Sequence, residues 1–168
     1  ERLVGSEMCI RDSSRIENGQ YTEMEDVSVD EILDELLPDL MDIYEHKQVR
    51  LIRKREEQPF IIRCNHSLAQ ILVSNLVKNS LLHNREGGEL QVLTTPTSLV
   101  IKNTGDVPLD GEKLFRRFYH GMDGKKDSTG LGLAIARSIA LSSSLKLTYE
   151  WQDGMHTFRL VKESKIYR

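Results

Sequence analysis

The chain holds 168 residues, 39% of them hydrophobic and 29% charged, with 23 Lys and Arg against 26 Asp and Glu for a net charge of -3. One domain of that size buries roughly 70% of the surface its unfolded chain exposes, so a core forms without disulfides or a structural metal. The near-balanced charge argues against a nucleic-acid binder, isolated Cys9 and Cys64 argue against a disulfide framework or a zinc site and suit a reducing setting, and no apolar run approaches the about 18 residues of a membrane span.

In chain order, residues 1–13 show neither a helix or strand period nor a secretory layout. They read like translated sequencing-adapter sequence, are left out of the fold, and imply a protein that continues upstream. A short helical tail is predicted at 14–19 and a brief strand at 26–29. Asp30 is expected to cap a helix whose apolar face carries Ile32, Leu33, Leu36, Leu37, Leu40, Met41 and Tyr44, with Pro38 kinking or interrupting it. Strands follow around Val49, Leu51 and Arg53 and at 60–63, separated by the Gln58-Pro59 turn. A long helix runs from Ser67 to about His83, and a turn at 84–88 leads to a strand pair at 90–94 and 99–103. The polar, glycine-bearing stretch 106–129 is too long for a plain connector and is a functional-loop candidate. A helix at 131–140 and a hairpin of strands 145–151 and 155–161 around Asp153-Gly154 complete the chain. The alternation of periods is that of an α+β sandwich.

Four stretches carry chemistry. In the long helix Asn75, Asn79 and His83 recur every fourth residue and share a stripe next to Leu68, Leu72 and Leu76, opposite Gln70, Ser74 and Lys78. Inward-facing carboxamides must be hydrogen-bonded or ligating, because an unpaired buried one costs about 1–3 kcal/mol. They either cap neighbouring backbone or offer oxygen to Mg2+, a hard cation that keeps phosphates in its shell. The run Ser128-Thr129-Gly130-Leu131-Gly132-Leu133-Ala134 places glycines ahead of an apolar helix, where they either allow phosphate to approach free N–H groups or pack helix on sheet. Ile101-Lys102-Asn103-Thr104-Gly105 ends a strand with an amide at the sheet's mouth. Leu114-Phe115-Arg116-Arg117-Phe118-Tyr119 interleaves aromatic anchors with arginines inside the long loop.

In this order the four stretches resemble the ATP-binding catalytic domain of bacterial sensor histidine kinases, within the wider family that includes DNA gyrase, MutL and a heat-shock chaperone. Asn75-Leu-Val-Lys-Asn79-Ser-Leu-Leu-His83-Asn84 is similar to the N box, Asn103-Thr-Gly105 to the first glycine box, Leu114-Phe-Arg-Arg-Phe-Tyr119 to the F box and Gly130-Leu-Gly132-Leu to the second glycine box. The wording of these boxes is most similar to that of Bacteroidetes-type kinases. The resemblance implies a two-layer α/β sandwich, its mixed, mostly antiparallel sheet packed on about three helices, with ATP held between helices and a lid. It divides the chain into a non-native 1–13, the end of a dimerisation helix hairpin and linker at 14–24, and a catalytic domain at 25–168. It makes Asn79 the direct Mg2+ ligand with Asn75 in support, sets Asn103 against adenine, and makes residues 117–129 the lid. Arg117 ranks first for meeting γ-phosphate charge, while His83, Gly105, Lys125, Thr129, Gly130, Leu131 and Gly132 complete the nucleotide-binding set.

Three departures from the family pattern stand out: Asn103 in place of an Asp, Val107 in place of a glycine, and Leu82 in place of a lysine. A neutral acceptor contributes about 0.5–1.5 kcal/mol against about 1.5–3 for a charged one, so weaker or less adenine-selective ATP binding is expected. Position 75 is Glu in the ATPase branches and activates water there; the carboxamide of Asn75 cannot act as a base, which favours phosphoryl transfer to a protein nucleophile over hydrolysis. The resemblance implies that this nucleophile is a histidine on an upstream dimerisation domain, that a response regulator receives the phosphoryl group, and that the domain is cytoplasmic in a homodimeric parent anchored in the inner membrane. A nucleotide-binding module without turnover and a related ATPase are the alternatives.

Overall fold

The computed structural model describes residues 23–111, 113–116 and 132–163. They form β1 (Glu25–Ser28), α1 (Val29–Ile43), a single 3-10 turn (Glu45–Lys47), β2 (Arg50–Arg55), β3 (Ile61–Cys64), α2 (His66–Leu82), β4 (Glu89–Thr95), β5 (Ser98–Thr104), α3 (Gly132–Ser142), β6 (Leu145–Gln152) and β7 (Met155–Lys162). The expected helical tail at 14–19 lies outside the described residues.

Five strands make a mixed sheet in the order β2-β4-β5-β7-β6, with β2 parallel to β4 and every other pairing antiparallel. β1 and β3 pair antiparallel in a separate small sheet. Thus β2 and β3, consecutive in sequence, belong to different sheets. Strand alternation decides which face is buried: Leu90, Val92 and Thr94 of β4, Leu99, Ile101 and Asn103 of β5, His156, Phe158 and Leu160 of β7 all turn inward. Against that face pack Leu72, Leu76 and Leu81 of α2 and Ile135, Ala136 and Ile139 of α3, forming the core of an α+β sandwich. The hairpin joining β6 to β7 turns through Asp153 (φ 54°) and Gly154 (φ 75°), the pair of positive φ values of a type I′ turn, and this pins the register Gln152 to Met155.

Two local expectations are corrected. Ser28, not Asp30, caps α1: its hydroxyl accepts the Glu31 amide at 3.2 Å. Asp30 is instead buried in the first turn, where it accepts from the Phe60 amide (2.7 Å), the Thr94 hydroxyl (2.6 Å) and the Arg53 guanidinium (2.7 Å), tying α1 to β2, β4 and the approach to β3. Helix α1 also runs unbroken through Pro38. Pro38 and Asp34 both lie on the exposed side, where water can replace the amide donor that proline lacks, while Leu37 and Leu40 beside it stay buried in the core. Cys64 ends β3 as a buried thiol that accepts from the Ser143 hydroxyl at 3.2 Å, and burial pushes its pKa up against the weaker pull of Ser143 and the Asn65 amide.

Candidate nucleotide site

The candidate site is built from the C-terminal half of α2, the end of β5 and the start of α3. Helix α2 begins at a proper cap, Asn65 accepting the Leu68 amide at 3.1 Å, one residue ahead of the predicted Ser67 start. Leu68, Leu72 and Leu76 are buried and Gln70 and Lys78 exposed as expected, but Asn75 and Asn79 are half-buried on the shoulder between the two rather than fully inward, and Ser74 is half-buried rather than exposed. His83 is the C-cap; its amide donates to the Asn79 carbonyl at 3.1 Å. A side-chain carbon at Gly132 would stand 3.7 Å from Asn75 Oδ1, so the first residue of α3 faces the asparagine stripe. The N-box and second-glycine-box stretches are thereby brought together. Arg117, Lys125, Thr129, Gly130 and Leu131 lie outside the described residues.

The C-terminus of α2 is held by a residue that sequence reading passed over. Lys47 Nζ donates to the Leu82 carbonyl and, at 3.0 Å, to the Asn84 carbonyl, placing a cation at the negative end of the helix. Asn84 is buried and donates to the Glu89 carbonyl at 3.0 Å. Gly88 passes so close that a Cβ there would lie 2.1 Å from Asn84 Oδ1. The turn between α2 and β4 is therefore fixed by side chains rather than by its glycines alone.

At the sheet's mouth one row reads Leu90, Asn103, His156 and Trp151 across β4, β5, β7 and β6, the first three buried and Trp151 exposed. Asn103 is 1% exposed, and its Nδ2 donates to the Thr104 carbonyl at 3.2 Å. Gly105 next to it has a packing reason for lacking a side chain: a Cβ would fall 2.1 Å from His156 Nε2. Tyr149 Oη lies 2.8 Å from His156 Nδ1 and accepts the Leu109 amide at 2.9 Å, and Trp151 Nε1 donates to the Gly105 carbonyl at 2.7 Å. His156, Tyr149 and Trp151 were missed from sequence. Alternation alone puts Tyr149 and Trp151 on one face of β6, but only the β5–β7–β6 register sets them and His156 beside Asn103. Beyond Gly105, Leu114 is buried and Phe115 meets Phe158 edge-on at 6.4 Å, with Arg137 over its ring at 5.9 Å, as expected of an anchor. Val107 is exposed.

Asn75 and Asn79 offer hard, neutral carboxamide oxygens one turn apart, which suits a Mg2+ ion sharing its shell with phosphate oxygens. Among the described residues no three His, Cys, Asp or Glu side chains converge as a dedicated metal cage. A groove of about 290 Å³ lined by Arg137, Leu141, Lys146 and Glu163 lies toward the other end of α3, away from the asparagines.

Fold and site define a two-layer α+β nucleotide-binding sandwich. Residues 64–163 match the family model described as histidine kinase-, DNA gyrase B-, and HSP90-like ATPase, and the chain belongs to that ATP-binding family. Sensor histidine kinase YvrG of Bacillus subtilis (strain 168) is 39% identical over 77 residues, 40% of this chain and 13% of that protein. The catalytic domain of histidine kinase ThkA superposes with a TM-score of 0.72 at 19% identity, covering 83% of this chain and 94% of that one. Histidine kinase ThkA in complex with response regulator TrrA gives 0.67 at 16% identity, covering 90% of this chain and 46% of that one. The chain spans 13% to 25% of the curated relatives it matches. Those relatives come from Bacillus, Synechocystis and Enterococcus, so the Bacteroidetes affinity expected from the box wording gains no support.

Proposed function

We propose that this chain is the ATP-binding catalytic domain of a sensor histidine kinase, spanning 25–168, and that it binds Mg-ATP between α2, the mouth of β5 and the start of α3. Asn79 and Asn75 would hold the metal, which supplies charge neutralisation at the phosphates. Asn103 faces the base; Gly105, His83 and Gly132 line the site, with Arg117, Lys125, Thr129, Gly130 and Leu131 completing it from the loop. The observation that carries the reading is the approach of Gly132 to the Asn75 carboxamide, which juxtaposes two boxes 57 positions apart (132 − 75 = 57) at one helix N-terminus. Because Asn75 cannot take a proton from water, the chain's residues position and neutralise rather than hydrolyse.

The γ-phosphoryl group would pass to a histidine of the protein's own dimerisation domain, with 14–24 as the end of that hairpin, and from there to a response regulator. The chain's similarity to sensor histidine kinases, and to a histidine kinase solved in complex with a response regulator, supports this reading. None of the described helices is long and apolar enough to cross a membrane; a cytoplasmic domain below an inner-membrane anchor and a homodimeric parent belong to the same proposal. The test is calorimetric titration with a non-hydrolysable ATP analogue, with and without Mg2+. Mg2+-dependent binding that disappears in Asn79→Ala is expected, and no binding at millimolar nucleotide by the folded chain would overturn the proposal.

A further inference from the structure

The strand that carries Asn103 leaves the sheet at Gly105, and the chain beyond it is held at two points by the β6–β7 hairpin. At the first, the Gly105 amide donates to the Gly154 carbonyl at 3.0 Å, its carbonyl accepts from Trp151, and the His156 ring occupies the space a side chain would take. At the second, the Leu109 amide donates to Tyr149 Oη, the same hydroxyl that meets His156 Nδ1. Between these points Asp106, Val107 and Pro108 are exposed. The Tyr149 ring also stacks on His156 at 5.8 Å and meets the buried Phe158 ring at a tilt of 48° and 5.1 Å, so aromatic contacts to the core hold the side chain that delivers the hydroxyl. His156 is 7% exposed and stands directly opposite Asn103.

From this geometry we infer that Tyr149, His156 and Trp151 are positioning residues for nucleotide binding: together they fix the Gly105–Leu109 segment and, through it, the orientation of Asn103 toward the base. The inference rests on the proposed function and names a part of the same site. Polar contacts are used because an aliphatic trio could fill the same volume but could not set the azimuth of a backbone carbonyl and an amide four residues apart. Since the Tyr149 hydroxyl takes the Leu109 amide and is itself held by the His156 ring, both side chains act on the same segment, and removing both should cost no more than removing the Tyr149 hydroxyl alone.

The experiment is calorimetric titration of the full chain with the non-hydrolysable ATP analogue and Mg2+, alongside thermal melts, for Tyr149→Phe, His156→Leu, His156→Asn, Trp151→Phe and the double variant Tyr149→Phe/His156→Leu. Tyr149→Phe and His156→Leu are each expected to weaken binding about tenfold with a melting temperature close to wild type. His156→Asn keeps an acceptor for the hydroxyl and should recover most of the affinity, and the double variant should bind no worse than either single one. Trp151→Phe removes one N–H donor and tests the Gly105 end independently. Wild-type affinity in Tyr149→Phe and His156→Leu overturns the inference, as does weakening that merely follows lost thermal stability or is not relieved in His156→Asn. Failure of wild type itself to bind, read beside Asn79→Ala, would instead bring down the proposed function and this inference with it.

Discussion

Asp30 shows how one residue can be misread from its neighbours and then explained by its partners. Burial would raise its pKa, but the hydrogen bonds from Thr94, Phe60 and Arg53 outweigh that and hold the carboxyl below its ordinary value. A depressed folded-state pKa contributes stability that is present above the unfolded pKa and lost as pH falls through the folded one. Urea midpoints measured from neutral pH downward should therefore drop across the acid range, and Asp30→Ala should flatten that drop. The same variant leaves the half-buried Arg53 cation, the Phe60 amide and the Thr94 hydroxyl without their carboxylate, so a loss of about 3 kcal/mol is expected from the denaturation curves. At Asn103 two effects oppose each other. Asn103→Asp supplies the charged acceptor that strengthens a bond to an adenine amino group, yet it loses the donor now given to the Thr104 carbonyl. Tighter nucleotide binding by calorimetry together with a lower melting temperature is the expected pair of outcomes; unchanged affinity would show that the carboxamide already serves the base as well as a carboxylate.

Among the elements, α1 has a built-in defect and α2 a built-in brace. Pro38 deletes one helical hydrogen bond in the middle of α1, and tertiary burial of Ile32, Leu33, Leu37 and Leu40 carries the helix across the gap. Because an interior proline costs about 3 kcal/mol relative to alanine, offset in part by the stiffer unfolded chain, Pro38→Ala should stabilise the domain by roughly 1–3 kcal/mol in urea titrations. In α2 the asparagine stripe needs a helix that does not fray at its C-terminal end, and the cation of Lys47 on the Leu82 and Asn84 carbonyls secures it. Lys47 lies 35 and 37 positions from its acceptors, so no local sequence signal announces it. The strands were legible within a residue or two because period-2 alternation survives in β4 and β5, and in the sequence of β7 although Thr157 there is buried as well.

At the scale of the molecule, the site is assembled from segments that are remote in the chain and share no local pattern. Asn75 meets Gly132 through the packing of α3 on α2, and Asn103 meets His156 through strand order. With Asn75 unable to activate water, the chain alone should turn over ATP slowly, whereas a supplied dimerisation-hairpin fragment should become phosphorylated from labelled ATP. Hydrolysis that outpaces transfer and needs no acceptor would favour an ATPase instead.

Sequence by itself determined the identity and order of most elements, the hairpin around Asp153-Gly154, the spacing of the asparagine stripe and the order of the four boxes, since each depends on residues close in the chain whose period or backbone preference is local. Tertiary structure alone decided that β2 pairs in parallel with β4 while β3 joins β1, that Asp30 is a buried junction rather than a cap, and that Tyr149, His156 and Trp151 converge on the strand bearing Asn103. The physical reason is that strand pairing and buried polar contacts are chosen by the burial of whole faces against one another, a global quantity that no window of the sequence contains.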